Sequence, residues 1–512
     1  MTQLPPECMR EIFKDLPIST LFKCIQVDRY WCWNGVPLIW RNPFPESLDG
    51  KNYKIIPIFL SYISKETREF LNLNYKISNI PTSTFFNYPS FCRHIEIGNH
   101  IEIKLTDWIK HNGLSLKEKS ISRKLNSRNI LDPLIEIIFQ VIWEKCEKID
   151  SISISFCDYT RYHWAENTFS SIKSKDFLSR LNLLRYNYSN QSESGIIFKS
   201  LNYNVKHIKI LDVYQPEPSD KIQIWLDNFR EFIKNLDILE IVILRGFNQY
   251  LPIIFEILVL HKKSIRSIEI CDSFTNVEKF EFLLEFDKLE ILRLEGNFGL
   301  NVLEPLSRAN FNNLSQFSLL DSSITWNGIS LLDPISALIQ NNGNNFTELR
   351  LDNFYSPPGR LEIVAKYCSN LLFLSTRLYS ILDLDGLFSI FKNCKKLEKL
   401  VIDQKYHRIY KFRLDEFVLE FSDNFPETIQ CLEITDNSLE LDSLITFLDK
   451  SGAGLKQFKY KYNLMKWIFD IPADQQDLLQ RIENVTKDKV IKRRCEGTSH
   501  FWAEGLVHIE WF

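Results

Sequence analysis

No Gly-x-Gly-x-x-Gly turn and no Walker loop occurs anywhere in this chain of 512 residues. Nothing in it therefore offers a glycine-lined row of backbone amides to a nucleotide phosphate. Eleven cysteines are present, but none forms a Cys-x-x-Cys pair. An odd number of scattered thiols argues against a disulfide framework and for a reducing compartment, cytosol or nucleus. The most apolar windows, such as residues 251–260, are half the length of a membrane span, and the first residues lack a charged-then-apolar export pattern. No membrane partner is expected. Without an export signal, the five Asn-x-Ser/Thr sites at Asn187, Asn190, Asn313, Asn345 and Asn484 are chance matches in an Asn-rich sequence. Charge of one sign is missing too: 62 Lys and Arg against 65 Asp and Glu leave a net charge of −3. Such a chain has no basic field to neutralise phosphates, so nucleic acid is not an expected partner.

What is present is apolar and aromatic. Hydrophobic residues make up 45% of the chain, with 38 Phe among them, which is ample for a packed interior. The length implies either two to four globular domains or one extended repeat array.

The amino end carries the densest pattern. Pro5 and Pro6 suit a helix start, where a missing N–H costs nothing, and Glu7 in the first turn complements the helix dipole. Met9, Ile12, Phe13 and Leu16 then recur at helical spacing and make one apolar face too large for so short a segment to bury by itself. A second helix is expected over residues 18–27 and a third over 29–39, with Trp33 and Trp40 as the large anchors. The frame Leu4-Pro5-x-Glu7, Ile12-Phe13, Leu16, Val27-x-x-x-Trp31, Leu38-x-Trp40 resembles the F-box. The resemblance covers residues 4–44. It implies a docking role: the unit would pack against the small Skp-type adaptor of a cullin-RING ubiquitin ligase while the rest of the chain selects a protein substrate. On that reading Leu4, Pro5, Ile12, Leu16 and Leu21 face the adaptor. Asp28 stands where the family often has Ser, and Cys24 where it has a larger aliphatic residue. Read without the family, the same segment is an amphipathic end cap for the repeats that follow.

Those repeats share a frame, apolar-x-x-apolar-x-apolar, followed by polar turn residues. The clearest copies start at Leu239, Ile265, Leu289, Phe346 and Leu397, and weaker ones at Ile149, Leu181, Val205, Leu314, Leu371, Ile429 and Leu455. From Leu181 onward the starts are 24 to 34 residues apart, mostly within the range of leucine-rich repeats. Each copy predicts a short strand, and helical stretches follow over 252–263, 277–286, 329–341, 360–367, 385–393 and 443–450. A unit of this size cannot bury its apolar face alone, so stacking is required. Cys146, Cys368 and Cys394 each sit three residues before a copy's first apolar position. This resembles the cysteine-containing leucine-rich repeats that often accompany an F-box. A doubly wound parallel sheet also alternates strand and helix, but its strands are almost wholly apolar, whereas charges interrupt these.

The expected fold class is thus α/β: a three-helix module over residues 1–44, connector helices and degenerate first repeats over 45–148, a solenoid over 149–470 with strands concave and helices convex, and a C-terminal cap over 471–512. Within the connector, residues 55–73 read as one or two helices, 92–98 as an atypical first repeat and 131–143 as a helix. In the cap, 478–494 reads as a helix and 506–512 as a strand. The polar run 341–345 reads as a mobile loop.

Chemistry has few footholds. Cys157, Asp158 and His163 lie close in sequence, but no glycine-rich turn supplies an oxyanion hole, so a thiol enzyme is the minor reading. Cys8, Cys24 and Cys32 lack the ligand spacing of a zinc site and read as buried small hydrophobes. Two basic runs, Lys117 to Arg128 and Lys487 to Arg494, read as solvated faces or nuclear addresses. No cofactor or metal is expected, and the chain is read as a non-enzyme.

Recognition then falls to the concave face. In the repeat frame the apolar positions point inward, so the third, fifth and seventh positions project outward. The central outward group, Ile243, Arg245, Arg293, Glu295, Arg350 and Arg377, mixes charge with exposed aliphatics, which suits a protein ligand. The alternative role for these arginines is a ladder of ion pairs among themselves.

Overall fold

The computed structural model describes residues 4–45, 54–75, 77, 80–112, 123–156, 168, 178, 181–188, 196–202, 204–215, 222–275, 280–298, 303–320, 334–352, 359–404, 413–436, 441–451, 454–463, 490–497 and 503–510. It is α/β, with helices and largely parallel strands, and forms two compact units, Met1–Arg245 and Gly246–Phe512.

The first unit opens with three helices, α1 (Pro6–Lys14), α2 (Ile18–Cys24) and α3 (Arg29–Ile39). Pro6 occupies the first turn of α1, with Glu7 beside it and Lys14 in the last turn, the arrangement that complements the helix dipole. Asp28 caps α3, its carboxylate accepting the Trp31 backbone N–H at 2.8 Å. Met9, Phe13 and Leu21 form the centre of the bundle, with Leu16, Trp31, Leu38 and Ile39 packed around them. The aromatic anchor is Trp31, whose ring lies 5.4 Å from that of Phe13. Trp33, expected in that role, is 54% exposed and leans on Phe86. Trp40 packs on Tyr88 and Phe59, outside the bundle.

Beyond α3 come helices Ile56–Leu60 and Lys65–Tyr75, then strand β1 (His94–Gly98), helix Asn99–His111 and helix Arg123–Lys145. Strands β2 (Ser151–Phe156), β3 (Leu183–Tyr188), β4 (Ile210–Tyr214) and β5 (Ile241–Arg245) follow, each parallel to its predecessor from β1 onward. Helix Ile222–Lys234 buries Trp225, Phe229 and Phe232, and the Trp225 and Phe229 rings stack 4.9 Å apart.

The second unit continues with β6 (Ser267–Thr275), β7 (Ile291–Phe298), β8 (Gln316–Leu320), β9 (Glu348–Asp352), β10 (Phe373–Thr376), β11 (Lys399–Gln404), β12 (Cys431–Asp436) and β13 (Gln457–Asn463), again parallel and in sequence order. Helices Leu251–Leu258, Pro334–Asn342, Arg360–Tyr367, Ile381–Asn393 and Leu441–Ser451 match the expected helical stretches in place. Among the described residues of the stretch expected over 277–286, which begin at Phe280, there is a short 3-10 turn, Glu281–Glu285, in place of an α-helix. Strands β14 (Val490–Gly497) and β15 (Ala503–Glu510) pair antiparallel, and β15 pairs antiparallel with β13. The helix expected over 478–494 is therefore corrected where it is described: residues 490–494 are strand. Within each unit the sequential strand order lacks the reversal of a doubly wound sheet.

Every repeat copy but one begins two residues before its strand, so like positions stand side by side across neighbouring strands. In β7, Leu292 and Leu294 are fully buried while Ile291, Arg293 and Glu295 are partly exposed. This alternation separates a sealed face from an open one. The exception is the copy at Val205. Its strand starts at Ile210, so the frame actually begins at Ile208, and Lys209 sits before the strand rather than on the open face.

Two side-chain ladders tie successive repeats together. The Cys146 thiol donates to the Cys92 carbonyl at 3.0 Å, and the Cys394 thiol to the Cys368 carbonyl at 3.2 Å. Burial pushes the Cys394 thiol up to about 11 and raises those of Cys92, Cys146 and Cys368 as well. The second ladder corrects the loop expected at 341–345. Asn342 is buried; its side-chain oxygen accepts the Phe311 N–H at 2.6 Å, and its amide donates to the Ala309 and Leu338 carbonyls at 3.0 and 2.9 Å. Asn345 donates to the Phe311 carbonyl at 3.1 Å and Asn370 to the Asn344 carbonyl at 2.9 Å. The run is ordered because an amide both donates and accepts, and so satisfies the backbone groups that a turn between helix and strand leaves open. Gly343 is needed there: a Cβ would meet the Tyr367 carbonyl oxygen at 2.7 Å.

Candidate functional site

Two surfaces deserve a site's name on physical grounds, one on the three helices and one on the open sheet face. On the helices, Leu4 is 51% and Ile12 52% exposed, and Ile18, Phe22 and Val27 are exposed with them. Pro5 is exposed and Leu16 is partly buried against the bundle core. Leu21 is the correction in this group. It is 4% exposed and packs on Met9 and Phe13, so it supports the surface from beneath rather than forming part of it. Ile12 and Phe13 are sequence neighbours on a helix about 100° apart; Phe13 turns inward and Ile12 is left outside.

On the open face of the first unit, Asp212 in β4 lies between two arginines. Its carboxylate accepts from Arg185 Nε at 2.8 Å and Arg245 Nε at 2.9 Å, and its side chain is 1% exposed. Arg245 also lies over the Tyr214 ring, 5.4 Å from its centroid. Ile243 is half-buried, directly across from Asp212.

In the second unit the register lines up open-face positions in rows across the strands. One row runs Glu269, Arg293, Ser318, Arg350, Ser375. Arg293 donates to Glu269 at 3.0 Å. Arg350 donates to Glu348 at 2.7 Å and lies over the Phe373 ring at 4.6 Å. Ser318 is short between two long arginines, and the hollow above it is a cavity of about 180 Å³ lined by Arg293, Glu295, Ser318, Leu320 and Arg350 among others. The Ser318 hydroxyl is buried without a hydrogen-bond partner among the described residues.

The neighbouring row holds Asp352, Arg377 and Asp403. Arg377 is corrected from an exposed anchor to a buried one: it is 6% exposed, with Nε and Nη2 donating to Asp403 at 3.0 and 2.7 Å. Burial works against its charge, but Asp403, joined by Tyr379 and Asp352, more than offsets that and raises its affinity for the proton. Burial pushes the Asp352 carboxyl up to about 6, with Asp403 adding to it and the Ser375 hydroxyl, Arg377 and Arg350 opposing.

Of the six residues expected at the centre of the face, Arg293, Glu295 and Arg350 thus share one hollow, Arg377 is sealed, and Ile243 and Arg245 stand on the face of the first unit. All four arginines are held in ion pairs rather than standing as free cations. Asp212 and Ser318 were missed by sequence reasoning. Ser318 is the fifth position of the copy at Leu314, so its place was readable. Asp212 was hidden by the shifted frame at Val205.

Cys157, Asp158 and His163 lie outside the described residues, as do the side chains of both basic runs. Among the described residues no helix is long and apolar enough to cross a membrane. No protein-family model matches the chain, and no curated protein matches it.

Proposed function

We propose that the chain is a non-catalytic substrate receptor of a cullin-RING ubiquitin ligase. The helices at the amino end dock to a Skp-type adaptor, and a leucine-rich-repeat solenoid grips a protein target on its open face. Proximity then makes ubiquitin transfer to the target effectively intramolecular. The observation that carries this reading is the surface of the three-helix bundle: Met9, Phe13 and Leu21 form its buried centre, yet Leu4 and Ile12 stay about half exposed, and Phe22 and Val27 on the same three-helix segment are exposed too. A grouping of exposed large apolar residues marks an interaction surface more often than a solvated one. The open sheet faces supply mixed charge and half-buried aliphatics, suited to a protein ligand.

Co-expression with a Skp-type adaptor tests the proposal. The full chain is expected to co-purify with the adaptor in equal amounts, and the Leu4→Asp/Ile12→Asp variant to purify folded but alone. Recovery of the wild-type chain without adaptor would leave a repeat scaffold acting outside the ubiquitin system.

A further inference from the structure

The hollow above Ser318 has a charge balance that selects its occupant. Arg293 is neutralised by Glu269 and Arg350 by Glu348, at 3.0 and 2.7 Å. Glu295, on the same wall, has no ion-pair or hydrogen-bond partner among the described residues. The Ser318 residue is 3% exposed and its Oγ has no partner either. A buried hydroxyl left unpaired forfeits the hydrogen bonds it had in water, so it is a place where a ligand's polar atom is owed. With both guanidiniums already matched, the unpaired carboxylate makes the site's excess charge negative, and Leu320 adds an apolar wall. A cavity of about 180 Å³ has room for one side chain.

We infer that this hollow seats a lysine side chain of the protein target, its ammonium donating to Glu295 and to Ser318 Oγ and its aliphatic stem lying along Leu320. An acidic side chain would have to break the Arg293–Glu269 or Arg350–Glu348 pair to be held, and would face Glu295. The inference rests on the open face being the target-gripping surface, but not on the adaptor. It deepens that reading by naming the chemistry the face selects.

The test needs no identified target. The full chain, perdeuterated and carrying 13C-methyl leucine, is titrated with Nα-acetyl-lysine N-methylamide and separately with Nα-acetyl-glutamate N-methylamide. The lysine probe is expected to shift the Leu320 and Leu294 methyl signals saturably in the millimolar range, while the glutamate probe leaves them in place. Glu295→Gln is expected to weaken the lysine probe at least tenfold, and Ser318→Ala several-fold, with the remaining methyl spectrum unchanged to show that each variant is folded. The inference is overturned if the glutamate probe shifts these methyls and the lysine probe does not, if neither saturates, or if Glu295→Gln binds as wild type. Loss of adaptor binding in the co-expression experiment would not move these methyls, so the two readings fail separately.

Discussion

The Ser375 hydroxyl stands 2.9 and 2.7 Å from the two oxygens of Asp352, and that bond does not offset the burial that pushes the Asp352 carboxyl up to about 6. The folded state therefore binds a proton here that the unfolded chain, titrating near 4, has released. Stability at this site falls as pH rises from about 4 to about 6 and is level above that. Asp352→Asn mimics the protonated form. It is expected to be no more stable than wild type at pH 4 and more stable by up to about 3 kcal/mol at pH 7.5. Urea midpoints at the two pH values check this; an equal difference at both would contradict it.

Asp212 holds Arg185 and Arg245 with a carboxylate that is itself sealed from water. Both guanidiniums retain some exposure, at 47% and 25%, so they can turn to solvent when the acid is removed. Asp212→Ala is expected to cost about 2–3 kcal/mol, less than the roughly 3–5 kcal/mol of breaking a wholly buried pair. Arg185→Ala leaves Asp212 its second partner and is expected to cost about 1 kcal/mol. Denaturation curves of the two variants give the comparison.

The Asn342 amide answers backbone groups of two segments at once. Asn342→Ala leaves the Phe311 N–H and Ala309 carbonyl without that partner, and a loss of about 2–4 kcal/mol is expected. Hydrogen exchange at the Phe311 amide should accelerate by a corresponding factor. The exposed Asn341→Ala, on the same helix end, should change stability by less than about 1 kcal/mol.

The cysteine ladder predicts a labelling pattern. Cys368 and Cys394 are buried, at 0% and 1% exposure, with thiols that burial holds protonated, whereas Cys8 is exposed. Alkylation of the native chain at pH 8, read by peptide mass spectrometry, is expected to mark Cys8 and spare the other two until denaturant is added.

Strand placement was legible because a period of two in the side chains is the same fact as a two-faced sheet, and one apolar frame recurring with a charged third or fifth residue has few other readings. The same rule failed at Val205, where Val205, Ile208 and Ile210 fit the frame in one phase and Ile208, Leu211 and Val213 in another, and only the strand pairing decides between them. The asparagine run was misread because composition cannot tell a solvated loop from amides that close backbone groups across repeats. Helix Ile222–Lys234 was overlooked although Trp225, Phe229 and Phe232 carry its period. On the candidate site, alternation placed Arg293, Glu295 and Arg350 on the open face. It could not show that Arg377 would be drawn under by Asp403, since ion pairing between strands depends on register and not on local sequence. The three helices were readable as an amphipathic set, but which of Ile12 and Phe13 turns inward is settled by packing against Leu21 and Trp31.

The docking claim rests on Ile12 being a surface residue with a use. Purified full chain titrated with a purified Skp-type adaptor by calorimetry is expected to form a one-to-one complex, and Ile12→Asp to weaken it by at least about 2 kcal/mol with an unchanged melting temperature. A wild-type chain that gives no binding heat at high micromolar adaptor, or an Ile12→Asp variant that binds as tightly as wild type, would contradict it.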